Sequence, residues 1–184
     1  MMQTTIDTIE RQQVLDQFVA SEAHLLSLID GLTPEQLAFR TAPDRWSIAE
    51  IIEHVIVVET RLTRAINKTI AQPSTRTERP DPAPRDASLW TQVTNRSTKL
   101  EAPEQVRPSG MFRVTIEIAE GLRGTRRQTV QFVTATDADL RGYTIPHMAF
   151  GDLDLYQWLI VLSNHGTRHA AQIEEIKADP AFPA

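Results

Sequence analysis

Apolar residues Val14, Leu15, Phe18, Leu25, Leu28 and Ile29 recur at steps of three and four, which predicts a helix over about 6–29. Gly31 suits its C-terminus, and Thr33-Pro34-Glu35 reads as a cap and turn. A second helix has a sharper start. Ser47 and Glu50 form a capping box, and Trp46 and Ile51 flank it as a hydrophobic staple. The run Ile51, Ile52, Val55, Ile56, Val57, Val58 is apolar nearly all round, so the first half of this helix, expected to reach about Ile70, is central. Pro73, Pro80, Pro82 and Pro84 then predict a surface loop over about 73–85, because proline lacks an amide donor and restricts its predecessor. Leu89-Trp90 and Val93 suggest a short helix, and Pro103 and Pro108 enforce breaks. Residues 112–136 carry conflicting signals. Val114–Ile118 and Thr129–Val133 alternate like strands, whereas Ile118, Leu122, Thr125, Thr129 and Phe132 make a helical stripe. The last helix is marked by Asp154 and Gln157 as a second capping box, by Leu153 and Trp158 as its staple, and by Asp179-Pro180 at its end.

Composition narrows the class. The chain has 184 residues, 41% hydrophobic and 23% charged, and is expected to be a single domain over 1–184. A net charge of −5 argues against a nucleic-acid partner, whose usual footprint is a basic face. No stretch approaches the roughly 20 apolar residues that span a bilayer, and the N-terminus lacks a signal-peptide core, so no membrane partner and a cytoplasmic location are expected. The chain has no cysteine, which excludes disulfides, a thiolate nucleophile and any cysteine-ligated metal. Any transition-metal site must use His, Asp and Glu.

The five histidines are at 24, 54, 147, 165 and 169. His165 and His169, four apart on the last helix, lie about 40° from one another around its axis, so both rings point the same way. Trp158 and Leu162 below them and Gln172 and Ile176 above suggest a face looking into a bundle. Two imidazoles there need polar partners or a metal. Residue 166 is Gly, so the metalloprotease His-Glu-x-x-His motif is absent. His54 stands among Ile51, Val55 and Val58 with Glu50 one turn before it. Read alone it suits a hydrogen-bonded core histidine. Beside His165 and His169 it would complete a three-histidine set with open coordination positions. Glu50 and His147 are the candidates for acid–base work, although Glu50 is also claimed by its capping box. His24 reads as a helix-flank residue.

Arg45-Trp46-Ser47-Ile48-Ala49-Glu50 with His54 resembles the Trp-Ser-x-x-Glu-x-x-x-His signature of the DinB-like superfamily. The segment from Asp137 through His147, Gly151 and Leu155-Tyr156-Gln157-Trp158 to His165, His169, Gln172 and Ile173 is similar to its C-terminal half. One departure stands out: relatives often read His-Pro before the last helix, where this chain has Pro146-His147-Met148. The resemblance implies an all-α four-helix bundle with up-down-down-up topology, 115–135 as its third helix and 86–110 as an extended connection. It implies a divalent metal, nickel or zinc, on His54, His165 and His169, and often a homodimer. It further implies a metal-dependent enzyme acting on a small-molecule substrate, either a hydrolase or an S-transferase using a low-molecular-weight thiol cosubstrate. The alternatives are a non-catalytic metal-binding stress-response protein, and a bundle with a metal-free polar core.

Overall fold

The computed structural model describes residues 6–74, 81–97 and 101–184. Its helices are α1 (Thr8–Ile29), α2 (Pro34–Ala38), α3 (Ile48–Ile70), α4 (Ala83–Gln92), α5 (Thr115–Ala135) and α6 (Leu155–Lys177). Both capping boxes read from the sequence are present. Ser47 Oγ accepts from Glu50 N at the start of α3, and Asp154 Oδ1 accepts from Gln157 N at the start of α6. A third, Asp7 with Glu10, opens α1. Among the described residues no helix is long and apolar enough to cross a membrane.

Cross-helix hydrogen bonds give the topology directly. Tyr156 donates to the Glu10 carbonyl, Gln17 to Thr167 and Lys177 to the Leu28 carbonyl, so α1 and α6 run parallel. Thr60 meets Thr125 and Thr63 meets Thr129, so α3 and α5 are parallel too. Arg11 donates to the Val133 and Thr136 carbonyls while Thr115 donates to the Leu32 carbonyl, so α1 opposes α5. The four long helices therefore form an up-down-down-up bundle, as expected. Gly166 lets α6 approach α1: a Cβ there would sit 3.1 Å from Ser21 Cβ.

The conflict over 112–136 resolves as a helix over Thr115–Ala135, as the family resemblance implied, and two other local expectations change. The buried stripe of α5 is Ile118, Leu122, Arg126, Thr129 and Val133, so tertiary packing overrides the local β preference. The connection 86–110 is not uniformly extended. It begins inside α4 and includes a 3-10 turn over Glu104–Val106. The Pro-rich loop at 73–85 ends earlier than proposed, because Pro82 caps α4 and Pro84 occupies its first turn, where a missing N–H is no loss. Positions 75–80 of that loop lie outside the described residues. A short antiparallel hairpin, β1 (Thr144–His147) with β2 (Gly151–Asp154), leads into α6 and was not foreseen. Arg141 ties this end together. It donates to Asp86 on α4, to Asp154 at the α6 cap and to Glu10 on α1, and its guanidinium lies 4.3 Å from the Tyr156 ring centroid.

Halfway down the bundle Glu59 and Arg126 form a fully buried ion pair at 3.2 Å. Burial pushes the Glu59 carboxyl up and the Arg126 guanidinium down, each opposed by the partner's charge. Arg126 stacks over Phe18 at 4.7 Å, and its Nε and Nη1 have no hydrogen-bond partner. Such a pair contributes little net stability, but removing one member strands the other charge. Glu59→Ala should therefore cost about 3–5 kcal/mol in denaturant unfolding. The double variant Glu59→Met/Arg126→Met should recover most of that loss. A double variant as unstable as the single one would contradict the assignment.

Candidate metal centre

The bundle brings together the three histidines that the sequence placed on two helices. His54 on α3 faces His165 and His169 on α6, with ring centroids 5.1 and 5.0 Å away, and the α6 pair is 4.4 Å apart. One ligand nitrogen from each lies within 4.8 Å of the others. His54 and His169 are 5% and 8% exposed, and His165 is the least buried of the three residues. The Trp46 ring covers His54 at 4.8 Å.

Hydrogen bonds orient the rings. His54 Nδ1 donates to the Val106 carbonyl at 2.7 Å, and His169 Nδ1 donates to Gln172 Oε1 at 3.0 Å. Both rings therefore carry their proton on Nδ1 and present a lone pair at Nε2. His169 Nε2 lies 3.1 Å from His165 Nε2. Two imidazole nitrogens, each ~2.1 Å from one shared ion, would be roughly 3.0–3.4 Å apart. The three imidazoles therefore fit a divalent ion in chemistry, and the His165–His169 pair fits it in spacing. Burial lowers the proton affinity of all three rings, and the neighbouring imidazoles lower those of His165 and His169 further. His165 falls well below the usual histidine range and His169 to about 3. Neutral imidazole is the form that ligates metal.

The acid–base candidates, Glu50 and His147, are each engaged by other partners. Glu50 has both oxygens engaged: Oε1 pairs with Arg40 at 2.6 Å and Oε2 accepts from Ser47 N at 2.8 Å. His147 ends strand β1, stacked on Phe150 at 4.6 Å and tilted against Trp158 at 4.8 Å. Its Nδ1 accepts from the amides of Ala149 and Phe150. Burial, reinforced by the Arg85 charge, lowers its proton affinity to about 4. His24 pairs with Glu174 at 3.1 Å on the surface.

Sequence reasoning passed over Glu53, which is 2% exposed beside His54. Burial alone would raise its pKa, but hydrogen bonds from Ser109, Met111 and Gly110 outweigh that and hold it low. The available signals were an acidic residue inside the apolar run of α3 and the Ser109-Gly110 turn after Pro108.

Comparison with known proteins agrees with this picture. A family model described as the DinB superfamily matches residues 17–173. Uncharacterized protein YuaE of Bacillus subtilis (strain 168) is 22% identical over 151 residues, covering 81% of this chain and 88% of that one. The solved structure of YfiT from Bacillus subtilis, described as a probable metal-dependent hydrolase with an unusual four-helix bundle topology, superposes with a TM-score of 0.61. That match is 14% identical and covers 96% of this chain and 91% of YfiT.

The depressed histidines have a consequence for folding. Their folded-state proton affinities lie below that of a free imidazole, so between about pH 6.5 and about pH 3 the unfolded chain binds more protons. Metal-free protein should keep this contribution above about pH 6.5 and lose stability as the pH falls through that window. Denaturant titrations at about pH 7, 6 and 5 check this, and His169→Gln should flatten the loss. An unchanged slope in the variant would contradict the shared burial of the rings.

Proposed function

This chain belongs to the DinB superfamily, and from that premise we propose that it is a metal-dependent enzyme whose His54, His165 and His169 hold one divalent ion, zinc or nickel. The observation that carries this reading is the convergence of three neutral imidazoles from α3 and α6 with two Nε2 atoms 3.1 Å apart. The likeness to YfiT, described as a probable metal-dependent hydrolase, supports it. Three nitrogen ligands leave coordination positions open, the pattern of catalytic rather than structural sites. When bound, such an ion supplies Lewis-acid activation of a water or a thiol.

The chain's own residues then do three things. Val106 and Gln172 hold two of the ligand rings in the metal-binding tautomer. Trp46 packs against His54, and the side of His165, the least buried of the three residues, is the one from which a small-molecule substrate would approach. Third, the chain contributes no thiol, since it has no cysteine. Hydrolysis is the reaction best supported. If the reaction is instead a thiol transfer, the thiol enters as a low-molecular-weight cosubstrate.

Elemental analysis of protein purified without added metal tests the site. Wild type should carry about one equivalent of zinc or nickel per chain, and His54→Ala and His165→Ala should each lose it. Equal metal content in all three would overturn the assignment. Loaded wild type should then hydrolyse simple esters or amides, or conjugate a small thiol, faster than His165→Ala. A loaded site that exchanges no ligand and turns over none of these substrates would favour a non-catalytic metal-binding protein.

A further inference from the structure

Glu53 and His54 are neighbours on α3, and both hold the same piece of chain. The Glu53 carboxylate accepts four hydrogen bonds. Ser109 N and Ser109 Oγ donate to Oε1 at 2.6 and 2.7 Å, and Gly110 N and Met111 N donate to Oε2, both at 2.9 Å. Val106, three residues before Ser109, accepts from His54 Nδ1. Among the described residues, the hydrogen bonds that join 106–111 to α3 come from these two side chains. Gly110 has φ +77°, the left-handed region in which glycine is unstrained. That kink turns three successive amides onto one carboxylate, a backbone nest closed around an anion.

We propose that Glu53 is a positioning residue for the metal centre: by anchoring the strap 106–111 it fixes the Val106 carbonyl, which sets the tautomer and ring angle of His54. This rests on the reading of the three histidines as a metal site. The Val106 carbonyl ends a single 3-10 turn, and among the described residues between α4 and α5 there is no other helix or strand, so its position depends on what the strap is tied to. A His54 ring without that acceptor can carry its proton on Nε2 and lose the lone pair that faces the α6 pair. The coupling is reciprocal. If the anchored strap tightens metal binding, metal on His54 tightens the strap by the same factor.

The test uses the whole protein and Co(II), titrated by its visible absorption. Wild type should bind saturably. Glu53→Gln keeps the shape but turns an amide NH2 towards backbone donors, and should bind Co(II) about 10–100-fold more weakly with an altered spectrum. Ser109→Ala, which removes one donor of four, should lose less. In wild type, Co(II) should slow hydrogen exchange at the Ser109, Gly110 and Met111 amides. A purely structural role for Glu53 would lower thermal stability and leave both the affinity and the spectrum of the folded variant unchanged, and that result would overturn the proposal. If Glu53→Gln does not fold, wild-type exchange decides, and no slowing at those amides is the contrary outcome. Failure of wild type itself to bind Co(II) would instead remove the metal reading beneath it.

Discussion

Three imidazoles packed together in a low-dielectric interior cannot all be positively charged, and a neutral ring must still satisfy one donor and one acceptor. In this bundle the Nδ1 donors of His54 and His169 are spoken for by Val106 and Gln172. What remains are nitrogens gathered within 4.8 Å of one another, with two lone pairs fixed to face the same space. That arrangement is unfavourable unless something electron-poor shares it. A proton between His165 and His169 relieves one contact, whereas a divalent ion relieves all three. The rest of the architecture serves this constraint: a capping box that fixes where α3 begins, an i, i+4 pair on α6, and a strap that delivers a carbonyl to His54.

The topology explains why a strap exists. Because α3 and α5 run in the same direction, the chain cannot turn back at the end of α3, and residues 71–114 must return the length of the bundle. On the way they supply Val106 and the nest around Glu53. The close approach of α1 and α6 has a chemical consequence as well. A Cβ at Gly166 would crowd Ser21, so the close α1–α6 packing disfavours a larger residue at the position the metalloprotease motif gives to its glutamate.

Much of this was legible in the residues, and the rest was hidden for identifiable reasons. The helix starts at Ser47 and Asp154 were readable because a capping box satisfies backbone donors locally and leaves a fixed spacing. The α6 pair was readable for the same reason. That His54 joins it is a tertiary fact, which the residues left open beside a core-histidine reading and which likeness to a family favoured. Helix α5 was obscured because Arg126 and Thr129 occupy buried positions of its stripe, which weakens the apolar period. Leu89-Trp90 and Val93 signalled helix α4, but its start was hidden by prolines, which stop a helix internally but are tolerated in its first turn. The hairpin at 144–154 was missed because each strand has only four residues and one contains Pro146. Glu53 was missed because its partners lie more than fifty residues away.

X-ray absorption at the metal edge of protein loaded with one equivalent of zinc or nickel tests the central claim most directly. The account predicts three imidazole rings, seen by their outer-shell scattering, at about 2.0–2.1 Å, with the remaining positions filled by light, exchangeable ligands. Fewer than three imidazoles, or a coordination sphere closed by a further protein ligand, would contradict it.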